Sequence, residues 1–179
     1  MNDLPPCPPA ECPALPAGFA IRPARFTDAA AIFHRIKAYP DELVPRPISE
    51  IMLNIDRFLV AVDPADQVIG TVAWSVLPEL DPQALPSVEI QSLTVRHEDR
   101  RHGLGRALVA RAMERIARLH ARQVIVLTFT PPFFASLGFE VVSKEQLLYK
   151  LFQGCMKCAK YTSPFTCPEV AMARQLAPL

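Results

Sequence analysis

The chain has 179 residues, and half of them are hydrophobic; 19 basic residues nearly balance 18 acidic ones, which leaves a formal net charge of +1. This length fits one domain with a substantial core. The composition argues against a general nucleic-acid binder and a disordered tail protein, and no apolar run is long enough to span a membrane.

The chain divides by composition into a proline-rich leader at 1–17, which we expect to be mobile, a domain at 18–152, and a cysteine-containing tail at 153–179 packed on that domain. Hydrophobic periodicity and turn residues predict a mixed α/β sheet protein. In chain order the predicted elements are a strand at Phe19–Arg22, a helix capped by Thr27, a helix at Ser49–Asp56, strands at Phe58–Val62, Val68–Leu77 and Val88–Val95, a helix with the stripe Leu104, Leu108, Ala112, Ile116 and Leu119, a strand at Val124–Phe129, a short helix from Pro131 to Leu137, and a strand at Phe139–Val142.

The loop Arg100-Arg101-His102-Gly103-Leu104-Gly105 precedes the longest predicted helix. Its two glycines lack a Cβ, so the backbone can turn tightly and a ligand can approach the N–H groups that open the helix. Such a helix end binds phosphate or diphosphate, and the basic residues at 100, 101, 102 and Arg106 strengthen the positive field. The alternative is a tight turn with solvated arginines. The string lacks the Gly-Lys-Ser/Thr of a P-loop and the third glycine of a dinucleotide fingerprint.

The strand that carries Glu89, this loop and the following helix together resemble the coenzyme A motif of the GNAT N-acetyltransferases. The resemblance implies a mostly antiparallel mixed sheet, flanked by helices and splayed between the fourth and fifth strands, with acetyl-CoA as co-substrate. It also implies that backbone groups of Leu93 and Val95 pair with the pantetheine arm and that an oxyanion donor lies near Leu93 or Thr94. Residues 100–106, Leu104 included, would hold the diphosphate.

Acetyl transfer to an amine needs a base for the ammonium proton and donors for the oxyanion. Glu89 is the candidate base, in register with the base of many GNAT enzymes; on spacing alone it is equally a solvated residue or half of an ion pair. Phe134 stands where many of these enzymes carry a tyrosine acid, which leaves water, Ser136 or Tyr149 to protonate the thiolate. Core packing explains this phenylalanine and its neighbours better than catalysis does.

A finer resemblance, over Ile21 to Met172, is to the short stand-alone amino-acid N-acetyltransferases of the N-acetylglutamate synthase type. Four stretches carry it: Leu43-Val44-Pro45-Arg46 with Asn54-Ile55-Asp56-Arg57-Phe58; residues 89–95; Val126-Leu127-Thr128-Phe129 with Phe133-Phe134 and Leu137-Gly138-Phe139; and Cys155-x-x-Cys158 with Cys167-Pro168-Glu169-Val170-Ala171-Met172.

This finer resemblance implies acetylation of the α-amine of L-glutamate, the first step of arginine biosynthesis. Arg46 suits a substrate carboxylate, since a guanidinium binds it in a bidentate fork. Lys150 and Thr128 are further substrate-binding candidates, and a solvated surface charge is the alternative interpretation for both Arg46 and Lys150. Thr130 replaces an arginine or glutamine of some relatives and leaves glutamine and aspartate open as substrates.

Five cysteines without a signal segment predict reduced thiols and a cytoplasmic protein. Cys155-x-x-Cys158 with Cys167, Cys7 and Cys12 could form a zinc site, but the ligand spacing favours buried or redox-sensitive thiols, and we expect no metal. The predicted partners are a small amino acid and a second copy in a homodimer, without nucleic acid or membrane. Two rival hypotheses are a GNAT enzyme for a polyamine, an aminoglycoside or a protein N-terminus, and a non-catalytic module that senses acetyl-CoA or metal.

Overall fold

The computed structural model describes residues 14–77, 84–147, 150, 155, 161, 163 and 165–176. Within them, the strands form one sheet in the order β1-β2-β3-β4-β5-β7-β6, and every neighbouring pair is antiparallel except the parallel pair β4 and β5. The strands are β1 (Ala20–Pro23), β2 (Phe58–Val62), β3 (Val68–Leu77), β4 (Ser87–Val95), β5 (Gln123–Thr128), β6 (Glu140–Val141) and β7 (Val170–Gln175). The helices are α1 (Ala29–Lys37), α2 (Ile48–Leu53), α3 (Leu104–Ala117) and α4 (Pro131–Ala135). This confirms the predicted mixed α/β fold.

The hairpin of β2 and β3 has the bounds that the sequence predicts. All five residues of β2 are buried, which agrees with its uninterrupted apolar composition. In the turn, the Asp63 carboxylate accepts hydrogen bonds of 3.0 Å from the N–H groups of Ala65 and Gln67, and Asp66 adopts a left-handed φ of 57°. The turn chemistry therefore fixes this register locally.

Helix α3 packs one apolar stripe against the sheet. Leu104, Leu108 and Ile116 are at most 1% exposed, as the predicted periodicity requires. The extension of the stripe to Leu119 is wrong, because the helix ends at Ala117 and leaves that leucine 49% exposed. A left-handed turn at His120, with φ of 52°, leads the chain into β5.

The start of α1 also differs from the prediction. Thr27 does not cap the helix; it lies in a 3-10 turn, Phe26–Asp28, that precedes the helix. The Asp28 carboxylate accepts the Arg25 N–H at 2.7 Å and two hydrogen bonds from the Arg22 guanidinium. The predicted second helix is likewise shorter: it ends at Leu53, and a 3-10 turn at Ile55–Arg57 leads into β2.

Strand β7 was not predicted. It lies between β5 and β6 and pairs with β5 along the whole length of that strand, from Gln123–Gln175 to Thr128–Val170. Its sequence contains one β-branched residue, so its own strand propensity is weak. The open edge of β5 supplies the hydrogen-bond partners that decide its conformation. The tail therefore contributes a strand to the sheet, while the predicted domain boundaries themselves stay predictions.

Most of the predicted leader, residues 1–13, lies outside the described residues. The end of it is ordered: Leu15 packs against the main core, and the Pro16 carbonyl accepts the Phe19 N–H at 3.1 Å. Among the helices described, none combines the length and the apolar character that crossing a membrane requires.

Candidate active site

A cleft opens where β4 and β5 diverge. The two strands pair only over Ser87–Gln123, Val88–Val124 and Glu89–Ile125, although both continue beyond this point. This confirms the splay that the sequence resemblance implied. Backbone groups of both strands are thus available to an extended ligand that enters between them. The residues lining the cleft are Glu42, Leu43, Ile90, Gln91, Ser92, Leu93, Val126, Leu127, Thr128, Phe129, Thr130 and Phe134.

A β-bulge reshapes β4 beside the cleft. Thr71 pairs with Thr94 and Ala73 with Gln91, so two residues of β4, Ser92 and Leu93, lie opposite one residue of β3. Ser92 has a left-handed φ of 54°, and its carbonyl accepts a 2.7 Å hydrogen bond from the Thr71 hydroxyl. A bulge bends its strand and redirects its side chains, which is why bulges recur beside active sites.

Glu89 lies at the closed end of the cleft and is 5% exposed. Its two carboxylate oxygens lie 2.7 and 2.8 Å from Nζ of Lys150. The sequence left Glu89 open as a base, a solvated residue or half of an ion pair, and the structure shows the ion pair. Lys150, a predicted substrate-binding residue, is therefore in direct contact with the predicted base.

Arg46 reaches the bulge from the segment before α2. Its Nε donates to the Ser92 hydroxyl at 2.8 Å, Nη1 donates to Glu50, and Nη2 donates to the Gln91 side-chain oxygen. Only 18% of its side chain is exposed. Since Gln91 and Ser92 line the cleft, the Arg46 guanidinium is held at the cleft wall.

The N-terminus of α3 has the tight turn that the loop sequence predicts at Gly103, but the turn predicted at Gly105 is wrong. Gly103 occupies the N-cap with a left-handed φ of 78°, and no side chain caps the helix. The first N–H groups of such a helix have no intrahelical partner and carry partial positive charge. Gly105 lies inside the helix; a Cβ there would meet the Phe133 ring at 3.6 Å, an ordinary contact. Gly103 therefore makes the turn, whereas the protein itself does not require a glycine at position 105.

The basic residues predicted around this helix end differ in whether they already make hydrogen bonds within the protein. Arg101 is exposed and has a φ of 69°. Arg106 donates to the carbonyl and the hydroxyl of Ser136 at 3.2 and 2.9 Å, and His102 Nδ1 lies 3.3 Å from the Asp99 carbonyl. Arg100 donates to the Val95 carbonyl at 3.2 Å and lies 4.8 Å from the centre of the Tyr39 ring.

The three β4 residues predicted to contact the coenzyme also differ from one another. Leu93 lines the cleft. The Val95 carbonyl is already engaged, since it accepts the Tyr39 hydroxyl at 3.1 Å as well as Arg100. Thr94 is 6% exposed, and its hydroxyl has no hydrogen-bond partner among the described residues. A buried hydroxyl without a partner is costly, which fits a position that a bound group or water completes.

The remaining candidates have structural partners. The Thr128 hydroxyl accepts the Thr130 N–H at 2.9 Å and so shapes the end of β5. Phe134 is 5% exposed and packs edge-to-face against Phe133 and Phe139, as the core-packing interpretation predicts. The Ser136 hydroxyl donates to the Phe133 carbonyl at 2.6 Å. Tyr149 lies outside the described residues.

Four residues of the site were missed by the sequence analysis: Tyr39, Glu50, Gln91 and Ser92. The i,i+4 spacing of Arg46 and Glu50 is a local signal that could have suggested their pairing. The contacts of Arg46 with Gln91 and Ser92 join residues 45 and 46 positions apart, and no local pattern indicates them.

Burial raises the pKa of the Cys155 and Cys167 thiols above the ordinary cysteine value, so both are protonated at neutral pH. Cys167 also donates to Glu169 at 3.4 Å. Cys7, Cys12 and Cys158 lie outside the described residues. Within the described part of the chain, no group of three or more His, Cys, Asp or Glu side chains could hold a metal ion.

The splay between β4 and β5 and the N-terminus of α3 agree with what the resemblance to the GNAT acetyltransferases implied. A family model of the acetyltransferase (GNAT) domain matches residues 54–141. An uncharacterized N-acetyltransferase from Chlorobaculum tepidum is 33% identical over 162 residues, which cover 89% of this chain and 98% of that protein. The chain therefore belongs to the GNAT family, acyltransferases that use acetyl-CoA as co-substrate.

Three further proteins are similar to this chain, one in sequence and two in structure. An amino-acid acetyltransferase from Mycobacterium tuberculosis is 28% identical over 139 residues, 74% of each chain. A Mycobacterium tuberculosis protein solved in complex with CoA matches with a TM-score of 0.72 at 24% identity, over 88% of this chain and 99% of that one. N-acetylglutamate synthase from Neisseria gonorrhoeae, solved with coenzyme A and N-acetyl-glutamate, gives 0.73 at 20% identity, over 92% of this chain and 36% of that one. At these identities, the structural matches show the fold.

Proposed function

We propose that this chain transfers acetyl from acetyl-CoA to the α-amine of a small acidic or amide amino acid, namely L-glutamate, glutamine or aspartate. The placement of Glu89 and Arg46 carries the proposal. Glu89 and Gln91 are two residues apart, so they project from the same face of β4 about 7 Å apart. Because Arg46 binds Gln91, it presents a guanidinium to the face on which the carboxylate of Glu89 lies. An amino acid with its amine at Glu89 can extend a carboxylate or carboxamide towards this guanidinium.

The charges at and beside the cleft argue against a polyamine or aminoglycoside. Two glutamates here are paired with arginines: Glu42, which lines the cleft, lies 3.8 Å from Arg100, and Glu50 pairs with Arg46. Their negative charge is thus compensated, and a polycation gains little from the cleft. The amino-acid acetyltransferase among the relatives supports the same class of acceptor.

The chain's own residues then have distinct tasks. Glu89 takes the proton of the substrate ammonium, directly or through a water, once that ammonium replaces Lys150. Arg46 orients the substrate through its distal group. The uncapped N–H groups at Leu104, Gly105 and Arg106 hold the diphosphate of the carrier, which supplies the acetyl thioester when bound. Arg101 adds an exposed positive charge at this helix end.

We propose that the proton for the departing thiolate comes from water or from a residue outside the described residues, such as Tyr149. Ser136 is the sequence candidate that the structure describes, and its hydroxyl is engaged with the Phe133 carbonyl and with Arg106. Phe134 has no proton to donate. A role in the first step of arginine biosynthesis, a cytoplasmic location and a homodimer remain parts of the proposal.

The test is a release assay for CoA thiol with acetyl-CoA and each of the twenty amino acids. We expect turnover with glutamate, glutamine or aspartate, and a loss of about 100-fold or more in Glu89→Gln, because a general base contributes this much. Calorimetric titration with CoA should show nearly unchanged binding in the variant. Turnover of none of these three amino acids, or an unchanged rate in Glu89→Gln, contradicts the proposal.

A further inference from the structure

Lys150 is itself a primary amine of the kind that the proposed reaction acetylates. Its Nζ contacts both oxygens of Glu89, at 2.7 and 2.8 Å. The lysine side chain is 16% exposed and the glutamate side chain 6%, so the pair is largely shielded from water. A substrate ammonium that gives its proton to Glu89 must come within about 2.6–3.2 Å of the same oxygens. Lys150 thus holds the position that the acceptor amine needs.

The cleft brings the acetyl donor to this position. Glu89 is the last residue of β4 that pairs with β5, and Ile90 is the first residue of β4 to line the cleft. From Val95, beside the N-terminus of α3, back to Glu89, the strand spans about 20 Å. A carrier whose diphosphate is bound at α3 and whose arm follows β4 therefore presents its thioester at the Glu89 end, next to Nζ of Lys150.

We propose that the site acetylates Lys150 of its own chain when the acetyl donor is bound and no amino-acid acceptor is present. The inference rests on the proposed function, because it uses the same base and the same donor. Nζ forms a bond to the thioester carbonyl carbon, and the carbon–sulfur bond breaks. Of the three ammonium protons, one passes to Glu89 before the attack, one ends on the departing thiolate, and one remains on the new amide. The products are Nε-acetyllysine and the CoA thiol, without an oxidant or reductant.

The modification changes the site in a defined way. An acetylated Lys150 is neutral, so the ion pair is lost and Glu89 is left without its cation. A bound amino acid would displace Lys150 from Glu89 and protect it. Lys150 then competes with the substrate for the base, and its acetylation reports how often the site holds donor without acceptor.

Lys37 provides an internal reference for purely chemical acetylation. It is exposed, its ammonium lies 5.7 Å from the centre of the Phe33 ring, and it does not line the cleft. Exposed lysines react with thioesters in solution without a base of the protein. A site-catalysed reaction should therefore modify Lys150 faster than Lys37, although Lys150 is much less accessible.

The experiment incubates the full chain with acetyl-CoA alone and measures acetylation of each lysine by peptide mass spectrometry. A hydroxylamine wash first removes any thioester from Cys155. We expect Lys150 to be acetylated about tenfold or more faster than Lys37, at a rate per molecule that does not depend on protein concentration. Glu89→Gln should slow the modification of Lys150 by roughly 100-fold and leave Lys37 unchanged. Glutamate at saturation should suppress it.

Glu89→Asp provides a second test if the glutamine variant does not fold, because it keeps the charge but withdraws the carboxylate by one methylene. The rate of Lys150 acetylation in Glu89→Asp should lie between the rates of the unsubstituted protein and of Glu89→Gln. Lys150 modified no faster than Lys37, or equally fast in the Glu89 variants, overturns the inference. CoA release with glutamate alongside an unmodified Lys150 also overturns it and leaves the proposed function standing. Glu89-dependent acetylation of Lys150 without turnover of any amino acid supports it and overturns the proposed substrate.

Discussion

Replacing Lys150 with methionine should destabilise the protein through the charge that it leaves behind. Methionine keeps most of the aliphatic stem but removes the ammonium that lies 2.7 Å from Glu89. With 6% of its side chain exposed, the glutamate is then a buried carboxylate without a counter-charge. Breaking one side of such a pair costs about 3–5 kcal/mol, which for a chain of this length lowers Tm by roughly 6–20 °C.

The double variant Lys150→Met with Glu89→Gln separates this effect from a loss of packing. In the double variant, both charges are replaced by neutral groups of similar volume. Its free energy of unfolding should return to within about 1 kcal/mol of that of the protein without substitutions. Urea denaturation of the four proteins gives the coupling energy, which we expect to be about 2 kcal/mol or more. If Lys150→Met costs less than about 1 kcal/mol and the two substitutions add, the ion pair is not the buried contact that the structure shows.

Three further predictions concern the proposed coenzyme loop, the proposed substrate-binding residue Arg46 and the N-terminus of α1. Gly105→Ala should raise the free energy of unfolding by up to about 1 kcal/mol, since the new Cβ meets Phe133 at 3.6 Å and alanine favours helix, yet CoA should bind more weakly in calorimetry. Arg46→Lys should raise KM for the amino acid by about tenfold or more, because one ammonium cannot replace the guanidinium fork, which binds Gln91 and, under the proposed function, a substrate carboxylate. Asp28→Asn should cost about 2 kcal/mol at neutral pH and nothing in strong acid, measured by urea denaturation across pH.

For each of these three predictions, the opposite result would contradict the physical reason given. Equal CoA affinity in Gly105→Ala would show that the ligand does not approach this turn of the helix. Arg25→Met is the control for Arg46, since it removes an arginine whose side chain is 63% exposed and should leave KM unchanged. An Arg46 variant that behaves like this control has lost no substrate contact.

The pH dependence at Asp28 follows from its hydrogen bonds. Burial alone would raise the pKa of Asp28, but the Arg22 guanidinium and the Arg25 N–H outweigh it and hold this pKa below its ordinary value. A carboxylate with a lowered folded-state pKa contributes stability that is present above about pH 4 and lost as the pH falls through the lowered value. A difference from Asp28→Asn that persists below this range contradicts the assignment.

Strongly local signals were read correctly from the sequence. The apolar runs and the aspartate turn of the β2–β3 hairpin predicted its bounds, because apolar runs and turn chemistry act over a few residues. The tight turn predicted at Gly103 begins α3 as expected, whereas Gly105, predicted to lie in the same turn, is inside the helix. At Thr27, by contrast, the capping rule was overruled by Asp28, whose hydrogen bonds to Arg22 depend on the neighbouring strand.

The amino-acid sequence by itself determined the order of the elements from β1 to β6, since periodicity and turn residues act locally. The coenzyme loop and the candidate base, Glu89, were assigned from the resemblance of short motifs to the GNAT family and stay predictions. Only the tertiary structure decided that Lys150 pairs with Glu89, 61 positions away, that Arg46 is held at the β4 bulge, and that residues 170–175 complete the sheet beside β5. The physical reason is that an ion pair, a bulge contact or a strand partner is defined by which surfaces remain open once the sheet has formed, and local sequence does not encode that proximity.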